Sequence, residues 1–232
     1  MRILTWNCNL QFSKKSELIK LFDADVIVIQ ECERLPIDYF EGYQFFWTGK
    51  NEMKGLAIVV RGSNSFIVEG SESRFAYFLP VQTEQGLVIG VWAFNHRAKK
   101  FGTQISGYIS DALSFYDSRI SDTSKVVIAG DFNNGPRWDL RGFHKNNFRF
   151  VQTQLEEKGF GSSYHVHSKE IFGEEAISTY FHQRDPDKKY HIDYVFSKGF
   201  QVDEVKVGDF KEWSAVSDHV PLFVQFVDKD NR

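Results

Sequence analysis

Five short segments hold the residues of this chain that could do chemistry: Thr5 Trp6 Asn7, Gln30 Glu31, Gly130 Asp131 Phe132 Asn133, His191 Ile192 Asp193 Tyr194 and Ser217 Asp218 His219. Each places a carboxylate, amide or imidazole where apolar runs end, the position from which strands deliver side chains into a shared cleft. Oxygen donors for a hard cation, an acid beside an amide, and an imidazole with a carboxylate in reach suit metal-assisted attack of water on a phosphate ester.

Taken singly, most of these residues have two readings. Gly130 lets the backbone turn tightly, and Asp131 and Asn133, two apart in extended structure, project to one face; Gly, Asp and Asn also make an ordinary β-turn. Glu31 is either an ion-pair partner at a sheet rim or a hard-metal ligand. Asn7 and Asn9 are turn residues, or, if the first two strands are adjacent and parallel, oxygen donors beside Glu31 for Mg²⁺. Strand alternation over Tyr190 to Phe196 puts His191 and Asp193 on one face and Tyr190, Ile192 and Tyr194 on the other, so Asp193 is expected to orient His219. His96, between Asn95 and Arg97, either meets a phosphate oxygen or sits in a solvated loop. His165 and His167 alternate like metal ligands, but no Cys or third His lies near them in sequence, and they read as structural. Trp138, Tyr164, Tyr180 and Trp213 read first as packing residues. Trp138 keeps a substrate role because it follows the Asp131 loop, inside a basic run of Arg137, Arg141, His144, Lys145 and Arg149 with Phe143 interleaved. That run is either a nucleic-acid contact or a solvated face.

The positioning elements follow from periodicity. Ile3 to Asn7 reads as a strand, and Ser13 caps a short helix whose Leu18, Ile19, Leu21 and Phe22 form an apolar face. Val26 to Ile29 is a continuous apolar run, as in a strand covered on both faces, and it delivers Glu31. Phe45 to Thr48, Leu56 to Val60, Phe75 to Thr83 and Leu87 to Phe94 follow as β runs. A helix over 104–116 precedes a buried strand, Lys125 to Ala129, that delivers Asp131. After a helix at 149–158, strands at 178–182, 190–196, 202–207 and 222–227 complete a second strand-rich half. Two strand layers with helices outside are implied.

The chain has 232 residues, 42% hydrophobic and 16% aromatic, enough for one α/β domain over 1–232 with a β-rich core and a frayed tail at 228–232. A net charge of −3 provides no global field toward polyanions, although a local basic patch could still hold one. Two cysteines exclude a disulfide framework, no signal or transit peptide is recognisable, and no apolar run is long enough to span a bilayer. A cytoplasmic monomer without membrane contact is expected.

In order, Thr5 Trp6 Asn7, Gln30 Glu31, Asn95 His96, Gly130 Asp131 Phe132 Asn133, Ile192 Asp193 Tyr194 and Ser217 Asp218 His219 resemble the motifs of the endonuclease/exonuclease/phosphatase superfamily, with its DNase I-like fold, from residue 5 to residue 221. The resemblance implies a four-layer α/β sandwich, two central mixed β-sheets flanked by helices, with a Mg²⁺ or Mn²⁺ site at one end. It implies Glu31 as metal ligand, Asn7 as the amide near metal and phosphate, and Asp131 with Asn133 as the water-activating pair. His219, oriented by Asp193, is the implied phosphate contact, with Asp218 orienting the site or touching a second metal and His96 near the leaving group. Asn9 stands where the DNA-repair branch has an aspartate, the chain lacks a basic N-terminal extension, and it is short for the lipid-cleaving members. The expected function is metal-dependent hydrolysis of nucleic-acid phosphodiesters, with Arg97, Arg137 and Trp138 on the substrate. The alternatives are a phosphatase or phosphodiesterase for a small phosphorylated metabolite and a binding module on the same scaffold. Whether Asp131 or His219 is the base stays open.

Overall fold

Strand alternation sorts the apolar residues into three slabs. In β1 (Arg2–Asn7) and β2 (Val26–Cys32), Ile3, Val26 and Val28 face the second sheet, while Leu4, Trp6, Ile27 and Ile29 face an outer layer. These strands join β3 (Tyr43–Asn51), β4 (Lys54–Arg61), β13 (Phe200–Val207) and β14 (Leu222–Asp228) in the order β13-β14-β1-β2-β4-β3. The second sheet runs β5-β6-β7-β8-β12-β9, comprising β5 (Phe66–Ile67), β6 (Phe78–Thr83), β7 (Gly86–Trp92), β8 (Val126–Asp131), β9 (Gly161–Ser162) and β12 (Asp193–Lys198). Its far face packs on α1 (Ile105–Phe115) and α3 (Phe148–Glu157) through Tyr108, Ile109, Leu113 and Val151. The computed structural model describes residues 1–68, 75–94, 99, 102–142 and 144–228, so His96, Arg97 and Phe143 lie outside the described residues. Two mixed six-stranded sheets flanked by helical layers make the expected sandwich. Among the described residues, no helix is long and apolar enough to cross a membrane.

Each sheet has one parallel pair near its centre, β1 with β2 and β7 with β8. The carboxyl ends of β1, β2 and β8 carry Asn7, Glu31 and Asp131. Gly130 is where the backbone demands glycine: its φ is 150°, and a Cβ there would lie 1.9 Å from the Val91 carbonyl oxygen across the β7–β8 pair. Gly130→Ala is therefore expected to cost at least about 2 kcal/mol, read as a lower urea midpoint; an unchanged midpoint would contradict the packing.

Several elements differ from expectation for local reasons. The segment after Ser13 consists of 3-10 turns, Phe12–Lys14 and Ser16–Phe22, with Ser16 and Ile19 inward at a spacing of three. Leu21, placed inward by a 3.6 period, is exposed. The run expected from Phe75 begins at Phe78, because Phe78 N–H closes a turn on the Phe75 carbonyl. The short helices α2 (Asp117–Asp122) and α4 (Ser163–Ser168) carry no periodicity long enough to read. The last helix, α5 (Phe210–Trp213), is capped by Asp209, whose carboxylate accepts the Lys211 N–H.

Candidate active site

Asp131 ends β8 with its side chain fully buried. Its Oδ1 accepts the Asn133 backbone N–H at 2.8 Å, and its Oδ2 accepts the side-chain amides of Asn133 at 2.7 Å and Asn7 at 3.1 Å. Asn133 adopts a left-handed φ of 48°, which folds the chain back so that one residue supplies two of the three donors. Asn7 is held in turn: its Oδ1 accepts Asn9 N–H and its backbone carbonyl accepts the Ser217 hydroxyl.

β8 and β12 are antiparallel with Asp193 directly opposite Asp131, an arrangement that repels unless a cation intervenes. The imidazole of His219 intervenes. Its Nδ1 donates to Asp193 Oδ2 at 2.9 Å, and its Nε2 lies 3.9 Å from Asp131 Oδ2, in ion-pair range but beyond a hydrogen bond. Burial raises the Asp131 carboxyl to about 7, with Asp193 adding to the rise and His219 opposing it. Burial works against the charged His219 ring, yet Asp193 and Asp131 outweigh it and raise the imidazole to about 9. A buried carboxylate raised toward neutrality thus faces a buried imidazole raised above it.

A short hairpin fixes that distance across the two sheets. β10 (Tyr180–Phe181) pairs with β11 (Lys189–Tyr190), while Tyr180 also bridges to His219, Phe181 N–H donates to the Asp218 carbonyl and Val220 N–H to the Thr179 carbonyl. The buried Thr179 hydroxyl oxygen accepts both the Ile192 and Asp193 N–H groups at 3.1 Å. Thr179→Val keeps the shape and removes that acceptor, leaving two buried amides unpaired. We expect kcat to fall about tenfold with KM unmoved and Thr179→Ser to restore it; wild-type kcat in the valine variant would end this role.

Glu31 reaches the same space through a β-bulge. The β2–β4 register shifts between Gln30 and Cys32, and Glu31, the extra residue, takes a left-handed φ of 59°. Such bulges re-aim a side chain. The Tyr180 ring packs 4.6 Å from His219, and its phenol is pushed up to about 12, by burial first and then by Asp218, Asp131 and Glu31 around it. Glu31 is ion-paired, with Lys54 Nζ at 2.9 Å. Among the described residues, the buried Asp193 Oδ1 has no hydrogen-bond partner. This oxygen-rich, net-negative donor set fits a hard divalent cation. One atom each of Asp131, Asp193 and His219 lies within 4.8 Å of the other two, with the Asp193–His219 bond inside that group, while Glu31 is paired with Lys54.

Of the expected site residues, Asn7, Asn133, Asp131, His219 and Asp193 are joined by direct contacts, Asp218 directly precedes His219, and Glu31 is ion-paired with Lys54. His191 does not share a face with Asp193, because β12 begins only at Asp193 and alternation fails before it. Its ring instead lies 4.5 Å from Tyr164 and 5.2 Å from Tyr194, with Nδ1 on the Ile177 carbonyl. His165 is structural, bonded to Ser162 and Glu175. Trp138 packs 5.1 Å from Tyr190 with the rings tilted at 45°, and the Arg137 guanidinium lies 5.0 Å over the same ring, lining a cavity of about 80 Å³ with Lys189 and His191. Further along the basic run, Lys145 pairs with Asp111 and Arg149 lies 3.8 Å from Asp139. Thr179 and Tyr180 were missed as site residues; their only sequence signal is a Thr–Tyr pair in a short strand ahead of the Asp193 motif.

The sandwich and its convergent tip define a phosphoesterase-type hydrolase scaffold. The Endonuclease/Exonuclease/phosphatase family model matches residues 4–219, and the chain belongs to that family. Its fold is similar to that of the 3′ phosphatase NExo from Neisseria bound to a product DNA hairpin, at 21% identity and TM-score 0.71 over 98% of this chain and 99% of that one. It is also similar to an AP endonuclease from Archaeoglobus fulgidus, at 18% identity and TM-score 0.73 over 97% and 99%, and to humanized TDP2 of D. rerio, at 16% identity and TM-score 0.63 over 98% and 98%. No curated protein matches the chain.

Proposed function

We propose that this protein is a Mg²⁺- or Mn²⁺-dependent phosphodiesterase acting on nucleic acid by in-line attack of water. The observation that carries the reading is the buried line Asp131, His219, Asp193, where base and cationic donor stand 3.9 Å apart. Asp131, held near neutrality and fixed by Asn133 and Asn7, takes the proton of the attacking water. His219, kept cationic and oriented by Asp193, donates from Nε2 to the non-bridging phosphate oxygen that gains charge. This division of labour follows from the environments: Asp131 is raised toward the pH at which a base works, whereas His219 above neutrality is a donor.

Glu31, with the Asn7 amide oxygen and Asp218, would hold the metal. When bound, the ion polarises a phosphate oxygen and offsets transition-state charge. Trp138 and Arg137 present a stacking face and a cation beside the site, suited to a base and its flanking phosphate. His96 near the leaving group and Arg97 on a phosphate belong to the same reading. The DNA-bound Neisseria phosphatase and the Archaeoglobus endonuclease, built on the same fold, support a nucleic-acid substrate. The proposed site residues all come from one chain, which supports a monomer, and two buried free thiols, Cys8 and Cys32, suit the cytoplasm.

Chelator-stripped protein titrated with Mg²⁺ or Mn²⁺ against labelled DNA and RNA oligonucleotides tests the proposal. Metal-dependent, salt-sensitive shortening of the strand is expected, and an inert protein on every oligonucleotide would refute it. Pairing of Lys145 and Arg149 with carboxylates favours a second reading, hydrolysis of a small phosphorylated metabolite. Release of inorganic phosphate from small monoesters without strand cleavage would select it.

A further inference from the structure

Lys15 stands apart from the other charged residues around the site because its ammonium meets three main-chain carbonyls. Nζ donates to Cys8 O at 2.6 Å, Val216 O at 2.6 Å and Asn9 O at 3.2 Å. An ammonium has three N–H donors, so this arrangement uses all of them and leaves none for a substrate phosphate. The adjacent Lys14 shows the contrast: it is exposed and, among the described residues, reaches only the Gln11 side chain, at 3.2 Å.

The three carbonyls come from the two loops that must be held in register for the proposed reaction. Cys8 and Asn9 leave β1 directly after Asn7, and Val216 directly precedes Ser217 Asp218 His219. Asn9, Leu10 and Gln11 are all left-handed, with φ of 51°, 67° and 52°, a run that L-residues do not hold without outside restraint. On its far side the run is anchored by Glu33, whose carboxylate accepts Phe12 N–H at 2.7 Å and Ser13 N–H at 2.8 Å. Besides Lys15, the Ser217 hydroxyl links these loops, donating to Asn7 O at 2.7 Å and accepting His219 N–H at 3.0 Å.

We propose that Lys15 is a positioning residue, a tethered monovalent cation that fixes the Asn7 loop against the His219 loop and thereby sets the Asn7–Asp131–His219 geometry. It acts through charge-assisted bonds to carbonyl dipoles, and its alkyl stem keeps the cation in place without a metal. The inference rests on the proposed hydrolytic reading, since it assigns Lys15 a part in that reaction.

The test compares wild type, Lys15→Met and Lys15→Ala in the oligonucleotide assay, with and without n-propylammonium. In Lys15→Met, kcat is expected to fall at least about tenfold with KM within about twofold. In Lys15→Ala, the same loss is expected to be partly restored by n-propylammonium, which replaces the missing stem and charge, whereas Lys15→Met, its channel filled, gains nothing. Wild-type kcat in Lys15→Met, a loss carried by KM, or a folded Lys15→Ala that propylammonium does not restore would overturn the role. Acylation of native wild-type protein, read by peptide mass spectrometry, covers variants that fail to fold: Lys15 is expected to react far more slowly than Lys14, and equal reactivity overturns the inference. An inactive wild type with a protected Lys15 would sink the hydrolytic reading while leaving the cation staple standing.

Discussion

Asp131→Asn is expected to lower kcat on the order of a hundredfold to ten-thousandfold while leaving KM and the fold nearly unchanged. The substitution preserves shape and removes the base. It also breaks at least one hydrogen bond, because Oδ1 accepts the Asn133 N–H and Oδ2 accepts the amides of Asn133 and Asn7. Either orientation of the new amide sets a donor against a donor, a cost of about 1–3 kcal/mol. Against this, the variant removes a buried charge directly opposite Asp193, which relieves like-charge repulsion across β8 and β12. The two effects oppose each other, so the urea midpoint moves little while turnover collapses. Because Asp131 acts on water and not on the ground-state substrate, the loss belongs to kcat. Wild-type kcat in a folded Asp131→Asn protein would remove the base from the mechanism and leave His219 as its successor.

Much of the site was legible because its residues stand where strongly patterned strands end. The continuous apolar run at 26–29 and the buried strand before Gly130 fix where Glu31 and Asp131 emerge, and a parallel β1–β2 pair brings Asn7 beside Gln30. The Asp193–His219 pair was legible from chemistry, since a buried imidazole near a carboxylate seeks it. The rest was lost where a local rule stops holding. Alternation assigned His191 to the Asp193 face, but alternation is a property of strands and β12 has not begun at 191. Leu21 was assigned inward by a 3.6 period in a segment that turns every three residues. Nothing in Gln30 Glu31 Cys32 announces a bulge with a left-handed Glu31, and a threonine in a β run carries no mark that two distant amides converge on it. These contacts join segments remote in sequence, as Thr179 joins 192–193 and 220, so they exist only once both sheets are assembled.

Asp193→Asn is expected to move the alkaline limb of the pH–rate profile toward acid. In wild type that limb falls near 9, where His219 loses the proton it donates to phosphate. Burial lowers the imidazole, and Asp193 is the foremost of the groups that raise it. Without the Asp193 charge, burial prevails over more of the range, His219 is neutral at lower pH, and turnover at pH 8 falls at least about tenfold. Stability carries the same sign. His219 in the fold stands above its ordinary value of 6.5, so its contribution is fully present below 6.5 and is lost as pH rises through about 9. Asp131, raised from 3.8 to about 7, likewise favours the fold below 3.8 and ceases to do so as pH rises through 7. Metal-free wild type is therefore expected to weaken steadily from mildly acidic to alkaline pH, with His219 accounting for on the order of 3 kcal/mol between 6.5 and 9. In Asp193→Asn the His219 part of that slope flattens. Urea midpoints of chelated protein at pH 6 and pH 9, set beside pH–rate curves of the loaded enzyme, read both effects. Superimposable profiles for the two proteins would show that Asp193 does not control the His219 proton, and the division of roles between base and donor would have to be redrawn.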